Sequence, residues 1–351
     1  MVICDEKQKH KTLLINKLTL KPVHQKDLFR NFANPKKICQ KLFSLPICRT
    51  NSPNFVSVIK FVFNNLTINK MEPQLQEIRE QQKASWNKFS PGWKKWDHEI
   101  LDFMRPFADE IIRSIKPKES DVILDVAAGT GEPGLSIAAM LSDGKVVITD
   151  LADDMLTIAR ENAFRKGITN VEFKACDVTE LPFYDNTFDA ISCRMGFMFF
   201  PDMLLAAKEM YRVLKPGGKI ATAVWSGPEK NFWVTAVGGT INRNMQLTPP
   251  PPEAPGMFRC SKSGLITDIF QQAGFKNTTE TELTGKLNCG TADVYWNLIT
   301  EIAAPFVAAL SNADDAMREK IRQEVFTLVN EKFPDGNVII DGNALVIAGE
   351  K

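Results

Sequence analysis

The 351-residue chain has little histidine and no paired cysteine motif. Only one of its three histidines, His98, lies beyond residue 24, so we expect no Ser–His–Asp catalytic set in the main body. The seven cysteines are scattered without a C-x-x-C pair, which is typical of free thiols in a reducing compartment. We therefore expect a cytoplasmic protein with no disulfide framework and no metal site.

Long hydrophobic runs are also absent. No stretch reaches the ~18 consecutive apolar residues that a membrane-spanning helix needs. The best candidate, residues 54–68, is short and is interrupted by Lys60 and by asparagines. The sequence therefore predicts no integral membrane span.

The formal net charge of +1 hides a division of the chain. Residues 1–70 carry 13 Lys and Arg against 3 Asp and Glu, whereas residues 71–351 carry 30 against 39. An acidic main body argues against a nucleic-acid partner. The first 70 residues are either a basic disordered or targeting arm or translated upstream sequence. Their Lys, Asn, Phe and Ile content favours the second interpretation, with a native start at Met71.

The hydrophobic pattern divides the rest of the chain into three parts. Residues 71–120 form a helical lid or cap, with helices near 72–90 and 95–115 separated by the breaker pair Pro91–Gly92. Residues 121–226 alternate short apolar runs with helical patterns. Residues 227–351 complete the fold with helical insertions.

Five short apolar runs in the middle part predict buried parallel strands. They are Asp121–Val126, Lys145–Asp150, Val171–Ala175, Phe188–Arg194 and Lys219–Trp225. Runs at 276–285 and 343–349 supply two more strands, and further helices are expected near 262–273, 292–309 and 313–332. The pattern predicts an α/β fold with a Rossmann-like, doubly wound, seven-stranded and mostly parallel sheet, with helices on both faces.

The loop after the first strand, in 122-VILDVAAGTGEPG-134, permits two interpretations. Gly129, Gly131 and Gly134 form the G-x-G-x-x-G pattern of a dinucleotide site. Asp125 with the first two glycines forms D-x-x-x-G-x-G, which suits a ligand without phosphate. Asp150 lies 19 residues after Gly131, where either ligand needs an acid for its ribose, so these residues leave both interpretations open.

Three further stretches distinguish the interpretations: 175-ACDVTELPF-183, 187-TFDAISCRMGFMFF-200 and 212-RVLKPGGKI-220. In this order the set resembles the class I S-adenosylmethionine-dependent methyltransferases, particularly the ubiquinone/menaquinone C-methyltransferase subgroup. The resemblance implies an enzyme that transfers a methyl group to a small, largely apolar molecule by C- or O-methylation. The alternatives are an NAD-dependent oxidoreductase and an S-adenosylmethionine-binding protein without turnover.

The resemblance implies that ten residues hold S-adenosylmethionine. They are Asp125, Ala127, Gly129, Gly131, Asp150, Leu151, Asp177, Val178, Cys193 and Arg194. Asp125 and its loop would hold the methionine part, faced by the backbone near Cys193 and Arg194. Asp150 would accept hydrogen bonds from the ribose hydroxyls, Leu151 would lie against the adenine, and Asp177 would accept from the adenine amino group. Gly134 is expected only to permit close packing.

An aromatic segment, residues 85–100, contains Trp86, Trp93 and Trp96, half of the tryptophans in the chain. We expect it to act as a lid with an aromatic face near the sulfonium, although packing on the sheet would use the same residues. His98 or Asp97 could act as a base, and the alternative for His98 is a surface position. The expected pocket for a small-molecule acceptor consists of Trp86, Trp93, Met195, Phe197 and Met198. Only one or two residues of the Phe- and Met-rich run are expected to contact ligand.

Overall fold

One sheet of seven strands organises the chain, in the order β3-β2-β1-β4-β5-β7-β6. The computed structural model describes residues 75–248, 251 and 253–351, and elements are numbered from residue 75. The strands are β1 (Val122–Val126), β2 (Lys145–Asp150), β3 (Val171–Ala175), β4 (Phe188–Arg194), β5 (Leu214–Trp225), β6 (Lys276–Gly290) and β7 (Val338–Glu350). Strands β1 to β5 pair in parallel, and β7 runs antiparallel to both β5 and β6. The seven-stranded, mostly parallel α/β fold is confirmed.

Ten helices among the described residues surround this sheet. They are α1 (75–95), α2 (Asp97–Ile115), α3 (Gly134–Ala138), α4 (Asp153–Arg165), α5 (Met203–Val213), α6 (Phe232–Met245), α7 (Leu265–Ala273), α8 (Ala292–Ile302), α9 (Ala304–Ser311) and α10 (Asp315–Lys332). Successive residues of a strand point to opposite faces, and β1, β2 and β4 each bury four consecutive residues. Both faces of the sheet are therefore covered.

The predicted strand positions agree closely with the structure. β2, β3 and β4 have the expected bounds, and β1 begins one residue later than expected. β5 begins at Leu214, five residues before the predicted start at Lys219. Leu214 pairs with Phe188 and Lys219 with Ala190, so the four residues 215–218 are looped out between them. The turn predicted there is thus present, with Gly217 at a φ of 76°.

The α2 helix packs on the sheet rather than forming a separate cap. Its buried stripe is the predicted one, including Ile100, Phe103 and Phe107. Phe103 stacks on Trp225 of β5, with ring centroids 5.5 Å apart. Gly342, in β7, leaves the space that this ring fills. Of the two helices of the expected lid, α1 is the one that does not lie in the core, and its lid role stays a prediction.

Three helices differ from the sequence-based expectation. The α1 helix continues through Pro91–Gly92 to residue 95. Gly92 is required there because a Cβ atom would lie 2.2 Å from the Glu301 carbonyl oxygen of α8. The single helix expected over 292–309 divides at Ala303 into α8 and α9, bent by 94°. Pro305 has no N–H to donate and its ring would clash with the Glu301 carbonyl in a continuous helix, whereas the first turn of a new helix tolerates it. The α6 helix was not predicted.

The predictions for residues 1–70, including the native start at Met71, lie outside the described residues. Within the described ranges no single helix has the length and apolarity to cross a bilayer. Only α8 and α9 taken together satisfy that test of composition, and they are sharply bent.

We predict that Gly342→Ala destabilises the fold by about 1–3 kcal/mol, because the added methyl group overpacks the core. A Cβ atom would lie 2.4 Å from Cζ of Phe103. Urea denaturation followed by circular dichroism measures the free energy of unfolding. Gly239→Ala, in α6, is the matched control, since its Cβ would meet no atom within 4 Å. Equal stability of the two variants would contradict this account of the α2 contact.

Candidate active site

The candidate site lies where the carboxyl ends of β1 and β4 meet. The chain leaves β1 towards β2 on one side and leaves β4 towards β5 on the other, which opens a crevice between the two strands. Ala127 follows β1 with a φ of 53°, and Met195 follows β4 with a φ of 60°. A left-handed backbone at a residue with a side chain is strained, and such strain is concentrated at functional sites. The two outliers mark the crevice independently of any motif.

The three glycines of the loop after β1 serve three different purposes. Gly129 has a φ of 57°, and a Cβ atom there would meet nothing within 4 Å, so it borders open space. At Gly131 a Cβ atom would lie 2.8 Å from a Leu135 methyl group, and at Gly134 it would lie 2.7 Å from Asp125 Oδ2. The predicted packing role of Gly134 is confirmed, and only Gly129 leaves room for a ligand.

Asp125 is buried at the base of this crevice, with no exposed surface. Its Oδ1 accepts a hydrogen bond from Ser192 Oγ at 2.6 Å, and its Oδ2 accepts from Gly134 N at 2.9 Å. Burial raises the pKa of this carboxyl to about 7, against the opposing effect of these two bonds. Asp125 therefore joins β1, β4 and the start of α3, and its contribution to holding the methionine part stays a prediction.

Asp150 connects the end of β2 to the same loop. Its Oδ2 accepts from Gly129 N and its Oδ1 from Ala152 N, both at 2.9 Å. Burial raises the pKa of this carboxyl too. Each oxygen retains a second lone pair for a ligand hydroxyl, so the side chain fits the predicted ribose role. Leu151, beside it, is half-buried.

Asp177 lies after β3 and contacts the α1 helix, which the sequence did not indicate. Its Oδ1 accepts from the backbone N and Oγ1 of Thr179, both at 2.8 Å. Its Oδ2 lies 2.7 Å from Nε of Arg79, and Arg79 Nη2 donates to Thr179 Oγ1 at 2.9 Å. The adenine end of the predicted site is thus in contact with α1. Val178, the other residue predicted there, is buried.

A row of polar contacts continues along α1 and α4, which we call the α1–α4 seam. Lys83 pairs with Asp153 at 2.7 Å, and Lys94 pairs with Glu161 at 2.6 Å. Between them the Asp154 amide donates to the Asn87 side chain at 3.2 Å. Exposed pairs of this kind contribute little stability individually. The seam therefore aligns α1 over the site without fastening it strongly.

Aromatic side chains connect α1 to the segment after β4. The Trp86 ring is edge-on to Phe199, with centroids 5.1 Å apart, and to Trp93, with centroids 6.0 Å apart. Met195 and Phe199 are half-buried, whereas Phe197 and Met198 are fully buried core residues. Of the predicted pocket, Trp86, Trp93 and Met195 therefore remain candidates for acceptor contact. Phe199, absent from that predicted set, joins them.

His98 lies at the surface of α2. Its side chain is 85% exposed, and its Nδ1 lies 3.7 Å from Oδ2 of Asp102 one turn along the helix. This is the surface position given above as the alternative, so a role as base stays a prediction without geometric support. Asp97 is mostly buried and accepts a hydrogen bond from Asn162 at 3.2 Å.

Comparison with known proteins identifies the chemistry of this crevice. Residues 98–237, which include β1 to β5, match the ubiE/COQ5 methyltransferase family. The chain is a class I S-adenosylmethionine-dependent methyltransferase. Its donor is S-adenosylmethionine, and neither the NAD interpretation nor a loss of turnover gains support from this match. The carboxylate of Asp150 suits the ribose of this donor, and the open loop at Gly129 leaves room for it.

Relatives of this methyltransferase share moderate identity over part of their length. The demethylmenaquinone methyltransferase of Listeria monocytogenes is 28% identical over 207 residues, which cover 54% of this chain and 85% of the relative. The ubiquinone/menaquinone biosynthesis C-methyltransferase UbiE of Cellvibrio japonicus is 40% identical over 112 residues, 31% of this chain and 45% of the relative. The YcgJ protein of Bacillus subtilis has 20% identity and a TM-score of 0.49, covering 70% of this chain and 98% of that one.

We predict that Asp125→Asn removes a pH dependence of stability from the methyltransferase. The folded carboxyl has a pKa of about 7 against an ordinary 3.8, so between these pH values the folded chain retains a proton that the unfolded chain releases. Wild-type stability should therefore decrease relative to the variant as pH rises through this interval, and the difference should be constant above it. Arg194 and Glu132, the nearest charges, are the same in both proteins.

Chemical denaturation at several pH values measures this difference. Asp143→Asn, in the exposed loop before β2, is the control and should show no such trend. A stability difference between wild type and Asp125→Asn that does not vary with pH would contradict the buried, proton-retaining carboxyl.

Proposed function

We propose that this methyltransferase transfers the methyl group to a ring carbon of a small, largely apolar, quinone-type acceptor in its reduced form. The names of the two relatives above, a demethylmenaquinone methyltransferase and a ubiquinone/menaquinone C-methyltransferase, support this acceptor class. The acidic main body of the chain is consistent with an uncharged acceptor rather than a nucleic acid.

The observation that carries this proposal is the aromatic contact between α1 and the segment after β4. Trp86 and Phe199 meet edge-on, with centroids 5.1 Å apart, and together form an aromatic wall. Aromatic side chains pack favourably against a flat ring in offset or edge-on arrangements. A quinol ring that packs against this wall would be held by such contacts beside the crevice of β1 and β4.

An unpaired indole donor adds polarity to this apolar wall. Nε1 of Trp93 is buried and has no hydrogen-bond partner among the described residues. A buried donor without a partner is costly, and buried polar groups are normally paired. A ring oxygen of the acceptor would satisfy this donor, which makes an oxygenated ring a better fit than a plain hydrocarbon.

S-adenosylmethionine supplies a methyl group that is already activated by the positive sulfonium. The residues of the chain therefore mainly need to align the acceptor and exclude water. The α1 helix suits this purpose because it covers the site and is held by the weak contacts of the α1–α4 seam. Its opening would admit both molecules without disturbing the sheet.

The proposal is tested with the full chain, S-adenosylmethionine and a short-chain demethylmenaquinol kept reduced. We expect a product with one added methyl group on the ring carbon, identified by mass spectrometry and NMR. A catechol in parallel reports O-methylation. Methylation of the catechol oxygen without any ring methylation of the quinol would contradict the proposal.

We predict that Trp86→Ala raises KM for the acceptor by roughly three- to tenfold, through loss of aromatic contact. Steady-state rates at saturating S-adenosylmethionine measure this value, and calorimetry measures cofactor affinity, which should not change. Trp86→Phe retains a ring and is the matched control. An unchanged acceptor KM in the alanine variant would remove Trp86 from the pocket.

We predict that His98→Ala leaves turnover and its pH profile unchanged, because the imidazole is exposed and pairs only with Asp102 among the described residues. Initial rates across the neutral pH range test this expectation. Loss of the rate, together with loss of one limb of the pH profile, would restore His98 as the base.

A further inference from the structure

The side chain of Arg194 differs from most of the arginines that the structure describes. It stands at the carboxyl end of β4, in the crevice, and its burial lowers the pKa of the guanidinium. None of its nitrogens forms a hydrogen bond, or an ion pair within 4.0 Å, with any residue from 75 onwards that the structure describes. Arg194 is half-buried, so the five donors of its guanidinium remain available to a ligand that enters the crevice.

Three carboxylates act electrostatically on Arg194 but do not form a hydrogen bond with it. Glu132, Asp125 and Asp97 contribute a favourable electrostatic field, in that order. Each is already hydrogen-bonded to other groups, and these are Ser136 and Lys166 for Glu132, Ser192 and Gly134 for Asp125, and Asn162 for Asp97. The guanidinium is therefore surrounded by negative charge but bonded to none of it. The guanidinium can therefore bind an anionic group of a ligand, and the nearby acids can bind an adjacent cationic group of the same ligand.

The position of Arg194 follows from strand geometry. Ser192 lies opposite Asp125 in the pairing of β4 with β1, and its hydroxyl donates to that carboxylate. Residues two apart in a strand point to the same face, so Arg194 is directed to the same side as Ser192. That side holds the loop with Gly129 and Gly131. The guanidinium thus lies at the methionine end of the predicted cofactor site.

We propose that Arg194 binds the α-carboxylate of the methionine part of S-adenosylmethionine through its side chain. The resemblance implied only backbone contacts near this residue. The carboxylate is the only anionic group of the donor, and an arginine fork matches it with two parallel hydrogen bonds. The surrounding acids suit the α-ammonium group of the same zwitterion.

The test is calorimetric titration of the full chain with S-adenosylhomocysteine and with the same molecule lacking its carboxylate. Wild type should prefer the carboxylate-bearing ligand by roughly tenfold to a hundredfold, as expected for a charge-assisted hydrogen bond. Arg194→Gln should reduce this preference to near one by weakening only the carboxylate-bearing ligand. Arg194→Lys should retain part of it. Arg105→Gln, paired with Asp102 on α2, is the matched control and should behave as wild type.

Equal wild-type affinity for the two ligands would overturn the proposal without any variant. Equal weakening of both ligands in Arg194→Gln would also overturn it, since that pattern means that Arg194 only neutralises the neighbouring acids. If Arg194→Gln does not fold, the wild-type ratio and the lysine variant decide. No methyl acceptor is present in the measurement, so its result is independent of the acceptor class proposed above.

Discussion

The buried carboxylate of Asp125 is the constraint on which the site depends. A single side chain receives hydrogen bonds from Ser192 of β4 and from the first residue of α3, and so fixes two strands and a helix start relative to one another. Burying it disfavours its charged form, and two short bonds offset part of that effect. The loop between Asp125 and Gly134 is therefore held at both ends, and its centre at Gly129 borders open space.

The α1 helix contacts this rigid base through interactions of a different kind. The contacts of α1 with the site are charged or aromatic, and most of the charged pairs are exposed. Such contacts can break and reform at low cost, whereas the buried sheet cannot rearrange locally. The division suits a methyltransferase, because donor and acceptor must enter and then be enclosed.

Local sequence patterns predicted the sheet well because buried parallel strands are continuous apolar runs, as in β2 and β4. They failed for α6, where Gly238 and Gly239 interrupt a helical pattern that is stabilised by packing; Gly238 admits the ring of Phe306. Asp150 and Asp177 were predictable because they stand at strand ends, Asp150 as the last residue of β2 and Asp177 two residues after β3. Arg79 and Phe199 were not, since they reach the site through contacts between distant parts of the chain, which leave no local signal.

The central claim is that the crevice of β1 and β4 holds S-adenosylmethionine rather than a dinucleotide. Calorimetry of the full chain, and of its Asp150→Asn variant, against S-adenosylmethionine and NAD tests it most directly. We predict that wild type binds S-adenosylmethionine and does not bind NAD. The variant should bind S-adenosylmethionine at least roughly tenfold more weakly, because it lacks a charged hydrogen-bond acceptor. Tight binding of NAD, or equal affinity of the two proteins for S-adenosylmethionine, would contradict it.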